Sequence, residues 1–116
     1  MNVKSKDSEG RAPLHWAAQE NSISCGRQLI AEGAAIDAVD KIGFTPLATT
    51  VGEGHVGFVR LLLAKGANPN KRIAEGGTAL HTAFAWGQNK IAQILIKAGA
   101  KLTIRDDDGK TPDMWK

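Results

Sequence analysis

Glycines fall at positions 10, 43, 76 and 109, each 33 residues after the last. A second series, Gly33, Gly66 and Gly99, keeps the same interval, and an alanine follows each member. Leu29, Leu62 and Leu95 form a third series in the same register. A fixed period of this length restricts the chain to an array in which one small supersecondary unit stacks on copies of itself. A single unit of that size cannot bury its own apolar face, so its neighbours must cover it.

Within the period the residues read as loop, helix, short turn, helix. Thr45-Pro46 marks a helix start, because the threonine oxygen can cap free amides and the proline needs no hydrogen-bond acceptor there. Leu14, Ala17 and Ala18 recur as Leu47, Thr50 and Val51 and again as Leu80, Ala83 and Phe84. This i, i+3, i+4 spacing puts a narrow, mostly small-residue stripe on the first helix, which lets it lie close to its neighbours. The second helix carries larger groups: Val56, Val59, Leu62 and Leu63 in one unit, Ile91, Ile94 and Leu95 in the next. Its end is marked by Gly-Ala, with the glycine suited to the left-handed conformation that closes a helix. Lys65 and Lys97 precede Gly66 and Gly99, where the negative end of a helix favours a cation. Turn-forming stretches such as Asn68-Pro69-Asn70 and Asp106-Asp107-Asp108-Gly109 link one unit to the next. The expected fold is all-α, with stacked helix pairs and little regular strand. The units run over about 7–39, 40–72 and 73–105, with a partial fourth over 106–116.

These residues resemble the ankyrin repeat. The family's pattern of glycine, Thr-Pro-Leu-His, paired alanines, Gly-His, Leu-Leu and Gly-Ala is matched by Gly10-Arg11-Ala12-Pro13-Leu14-His15-Trp16-Ala17-Ala18. It is matched again by Gly43-Phe44-Thr45-Pro46-Leu47, Gly77-Thr78-Ala79-Leu80-His81-Thr82-Ala83, Gly54-His55, Leu62-Leu63 and Gly66-Ala67. The resemblance runs from about Asp7 to the end. It implies an ankyrin-repeat solenoid with projecting hairpin-like loops, one domain over 1–116. The irregular positions are Gly26 and Gln28, where the next unit has Val59 and Leu61; Ala48 in place of the motif histidine; Ala79 in place of proline; and Ile73 in place of the leading aspartate. A glycine at 26 costs roughly 1 kcal/mol in a helix interior, so the first unit is expected to be the least stable. Residues 2–7 resemble the tail of a preceding unit, which leaves both a small complete protein and a segment of a longer array open.

Candidates for chemistry are few. The resemblance gives His15 and His81 a structural role, bonding backbone of the neighbouring loop, while His55 lies in the turn between helices. No histidine has a second ligand at zinc-site spacing. Cys25 aligns with Phe58 and Ile91, which implies a small buried hydrophobe with no neighbouring base to activate it. Asp106-Asp107-Asp108-Gly109 resembles the start of a calcium loop but lacks the later glutamate such a loop needs. Asn70 resembles the hairpin asparagine hydroxylated in some members of the family. No catalytic, metal or cofactor residue is assigned, and the chain is read as a non-enzyme without cofactors.

Binding is the remaining class. In the family, partners meet the loop tips and the exposed side of the first helices. Those positions include Arg11, Lys41, Ile42, Phe44, Glu53, Glu75 and Trp86. Ile42, Phe44 and Trp86 are large apolar groups where solvated residues are expected, which marks a contact patch for another protein. The alternative rests on charge: the net +3 divides into −2 over residues 1–58 and +5 over 59–116, so a nucleic acid or other polyanion could meet the second half. A third class is a structural segment of a larger repeat protein. With 42% hydrophobic and 23% charged residues, the chain is neither disordered nor membrane-spanning by composition. One cysteine allows no internal disulfide. The polar N-terminus lacks a secretory apolar segment. The expectation is a monomeric cytoplasmic protein, with nuclear entry left open and nucleic acid a disfavoured partner.

Overall fold

Six α-helices follow one another among residues 5–115, the part the computed structural model describes. They are α1 (Pro13–Gln19), α2 (Ile23–Ala31), α3 (Pro46–Glu53), α4 (Val56–Ala64), α5 (Ala79–Ala85) and α6 (Asn89–Lys97). Short 3-10 turns span Ala74–Gly76 and Pro112–Trp115, and the described residues contain no strand. Helices α1, α3 and α5 pack in sequence as one layer, and α2, α4 and α6 as a second. The long axis is 40 Å, which suits three helix pairs and a partial fourth stacked at interaxial distances of about 8–10 Å.

Local chemistry sets the helix ends. At α3 the Thr45 hydroxyl oxygen accepts the Ala48 amide at 3.1 Å, and Pro46 occupies the first turn. At α1 the cap residue is Ala12, which has no side-chain oxygen. There the imidazole of His15 reaches back, and its Nδ1 accepts the Ala12 amide at 3.1 Å. His81 does the same for Thr78 at 3.0 Å in α5. At the far ends of α2, α4 and α6 the three sequence series converge on one device. Gly33, Gly66 and Gly99 take φ of 93°, 97° and 103°. The amide of the alanine after each then donates back to Leu29, Leu62 or Leu95 at 2.9–3.0 Å. This 6→1 bond closes the helix, and the same leucine side chains are buried in the core.

Leu14, Leu47, Leu62, Leu80 and Leu95 are all within 1% of full burial, each stabilising the stack by roughly 2 kcal/mol. Ala17, Ala18, Thr50, Val51 and Ala83 complete the tight first-helix seam. One expectation needs correction here. Cys25 is exposed, not buried. Phe58 and Ile91 are buried because each unit has another before it, whereas the described residues place none ahead of α2. Cys25 instead lines an apolar cleft on that end face with Pro13, Trp16 and Leu29. Helix α2 buries two residues, Leu29 and Gly26, against four in α4, and Gly26 has a packing role. A Cβ there would lie 2.6 Å from Cζ and 2.8 Å from Cε2 of Phe58. The glycine is the socket that admits the neighbouring unit's phenyl ring, which is fully buried. Gln28 is exposed and donates to Glu32 at 2.9 Å.

Side chains also tie unit to unit. His15 Nε2–H donates to the Phe44 carbonyl and His81 Nε2–H to the Lys110 carbonyl, both at 2.9 Å. Because Nδ1 of each ring already accepts an amide, the proton must sit on Nε2. His55 Nε2–H donates to the Gln19 carbonyl at 3.0 Å. In the junction between the second and third units, Ala48 and Gln88 stand at the two equivalent positions and neither makes such a bond. That junction is tied from the loop after α4. Asn70 donates through Nδ2 to the Gly99 carbonyl (3.0 Å) and accepts the Lys101 amide through Oδ1 (2.8 Å). Arg72 donates to the carbonyls of Gly76 and Arg105 at 2.8 and 2.7 Å.

Candidate binding groove

The loop tips are built by aspartates. Asp40 Oδ1 accepts the amides of Ile42, Gly43 and Phe44 at 2.9–3.0 Å. Asp7 accepts those of Glu9 and Arg11, and Asp106 those of Asp108 and Lys110. The Asp106 carboxylate therefore caps its own turn. Burial acts to raise the Asp7 pKa, but the two amides and the Arg11 guanidinium outweigh it and hold this carboxyl below the usual aspartate range. Ile73 cannot play the aspartate part. The third tip consequently departs from the others, with Glu75 in the left-handed region at φ 60°. Arg72, bonded to the Gly76 carbonyl, holds that tip from outside. Neighbouring tips are joined by single backbone bonds: Lys41 amide to Glu9 carbonyl, Ala74 to Gly43, and Asp107 to Glu75, at 2.9–3.0 Å.

Between these tips and the first helices runs a groove made of two depressions, of about 330 and 630 Å³. Both are lined by Ile42, Phe44, Thr82 and Trp86, so the two are continuous. Ile42 sits on the second tip and is 62% exposed; Trp86 follows the end of α5 and is 69% exposed. Phe44 is half-buried, its backbone fixed by the bonds from Asp40 and from the His15 ring. Arg11 and Glu53 line the larger depression and Glu75 the smaller. Lys41 is exposed but lines neither. Arg11 reaches the groove already engaged: it pairs with Asp7 at 3.1 Å and stacks 4.2 Å from the Trp16 ring centre. Trp16 is 42% exposed and donates its Nε1–H to Asp7 at 3.0 Å.

Sequence reasoning placed Gly52 at the groove but missed Ala48, Thr49 and Thr82 of its floor. Thr82 follows Thr49 by one 33-residue period, so the register alone could have found it.

Charge is divided by layer more than by chain half. Helices α4 and α6 carry Arg60, Lys90 and Lys97 and no acid. The groove is lined by Glu9, Asp40, Glu53, Glu75 and Asp106 against a single cation, Arg11. Among the described residues, no group of three or more histidine, cysteine, aspartate or glutamate side chains is placed to hold a metal. No helix there is long and apolar enough to cross a membrane.

A family model described as ankyrin repeats, in three copies, matches residues 14–106. A search of curated proteins returns no match to the chain.

Proposed function

Since the chain belongs to the ankyrin-repeat family, whose repeats generally mediate protein–protein interaction, we propose that it is a non-catalytic binding module that receives a protein partner in the Phe44–Trp86 groove. The observation that carries this reading is the continuity of the two depressions across the second and third units, with Ile42, Phe44 and Trp86 as apolar walls. Aromatic groups exposed in a concavity and belonging to no core series lose water on binding, at no cost to the fold's own packing. Interfaces of this kind take most of their energy from a few such anchors, about 2 kcal/mol or more each. The partner is a protein, the chain acts as a monomer, and its place is the cytoplasm.

The test is the double variant Phe44→Ala/Trp86→Ala. Proteins retained from a source-cell lysate by the wild type should be lost by the variant while its melting temperature stays nearly unchanged. Equal retention by both would overturn the groove as the binding face. The polyanion reading is supported by the acid-free, exposed basic side chains of α4 and α6. It predicts heparin binding that survives the aromatic double variant and is lost in Arg60→Ala/Lys90→Ala.

A further inference from the structure

We infer that the groove's occupant is a positively charged peptide segment carrying a large apolar side chain, so that the apolar group seats between Phe44 and Trp86 while its lysines or arginines meet the acidic walls. This rests on the reading of the groove as the binding face and adds the chemistry of what it binds. Three observations support it. First, the carboxylates of Glu9, Glu53 and Glu75 line the two depressions and make no hydrogen bond or ion pair among the described residues. Second, the one cation in the lining, Arg11, is paired with Asp7 and stacked on Trp16, so its charge is already answered. Third, Asp40 is held at the groove by three backbone amides, so its position is set before any partner arrives.

An acidic segment entering this concavity would place like charges together with no unpaired cation among the described residues of its lining. An uncharged apolar one would leave the rim's carboxylates facing low-dielectric material. A cationic segment meets neither penalty. Its attraction to the groove also stands out against a chain whose overall charge is +3, because field in a concavity follows the local lining. Arginine or tryptophan-rich segments gain further from the exposed face of Trp86, through cation–π or ring stacking.

The experiment is selection of a random peptide display library on the intact chain, with the folded variants Phe44→Ala/Trp86→Ala and Glu9→Gln/Glu53→Gln/Glu75→Gln run in parallel. Circular dichroism melts confirm that both variants are folded before selection. Enriched peptides should combine lysine or arginine with an aromatic or branched apolar residue. Affinity, read by fluorescence polarisation of the labelled consensus peptide, should fall about tenfold in the triple glutamine variant, as removal of three partly exposed ion pairs implies. Enriched peptides that are acidic or neutral, lose affinity in the aromatic variant and are indifferent to the glutamine changes would overturn the charge inference and leave the groove reading standing. Peptides that bind the aromatic variant as well as the wild type, or no enrichment over that variant, would overturn both. A consensus rich in lysine but without an apolar residue would also overturn the inference, because charge alone would then account for capture.

Discussion

Replacing Gly26 by alanine distinguishes the two accounts of this position. Helix propensity alone says that alanine should stabilise α2 by about 1 kcal/mol. The packing says otherwise. The new Cβ would meet Phe58 Cζ at 2.6 Å and Cε2 at 2.8 Å, with Leu61 Cδ2 at 3.2 Å behind them. Ordinary contact between carbons needs about 3.5–4.0 Å, so the ring must retreat by roughly 1 Å. It has little room, being fully buried between units. Overpacking of this kind costs about 1–3 kcal/mol, which outweighs the propensity gain over most of that range. The net expectation is a loss of up to about 2 kcal/mol, seen as a lower urea midpoint with unchanged slope and a lower melting temperature. The double-mutant cycle with Phe58→Leu isolates the cause. Once the ring is gone, Gly26→Ala should become neutral or stabilising, which gives a coupling of 1 kcal/mol or more between two residues 32 positions apart. If Gly26→Ala stabilises the wild-type chain, the socket is an illusion and the glycine is simply a weak helical residue.

Gly52 offers the contrasting case: its Cβ would find only Thr82 Cγ2, at 3.9 Å, so Gly52→Ala should raise stability by roughly 0.5–1 kcal/mol, and a fall in a urea titration would contradict this. His81→Ala strips the acceptor from the buried Thr78 amide and one of two donors from the Lys110 carbonyl, which keeps the Asp106 amide. It should cost about 1–3 kcal/mol, with hydrogen exchange accelerated first around Thr78; an unchanged melting curve would show that the ring is dispensable. Asp7 should titrate below the usual aspartate range in a proton-detected NMR series, since its folded pKa is lowered. The sign follows: its contribution is fully present above the unfolded-state pKa, fades as pH falls through the lower folded value, and disappears in Asp7→Asn. A titration at or above the ordinary value would refute the loop geometry at the first tip.

The repeat made most of this molecule legible. A common interval for Gly33, Gly66 and Gly99, for the alanines after them and for Leu29, Leu62 and Leu95 corresponds to one helix-closing bond made three times. Thr45, Pro46 and the apolar stripes were readable for the same reason: their roles are local. What depends on a unit's neighbour was not readable from the unit. Cys25 aligned with two core residues and is exposed, because alignment reports the position in a unit and not whether another unit covers it. Gly26 seemed a flaw because its partner, Phe58, belongs to the next unit. At the groove, the apolar character of Ile42, Phe44 and Trp86 against a polar background gave their positions away. That Lys41 lies outside the lining and that Arg11 is spoken for depended on side-chain directions, which no periodicity encodes.

The missing histidine at position 48 has a mechanical consequence. At the first and last junctions, sliding of one first helix past the next must break a part-buried imidazole bond, to Phe44 or to Lys110. At the middle junction, which Phe44 and Trp86 straddle, the first-helix layer is held by packing, while the discrete ties come from the Ala74–Gly43 backbone bond between the tips and from Asn70 and Arg72 in the loop beyond α4. Packing yields by degrees. The first-helix layer is therefore pinned by an imidazole on either side of the groove and not across it, so the spacing of the two aromatic walls can adjust without breaking such a bond.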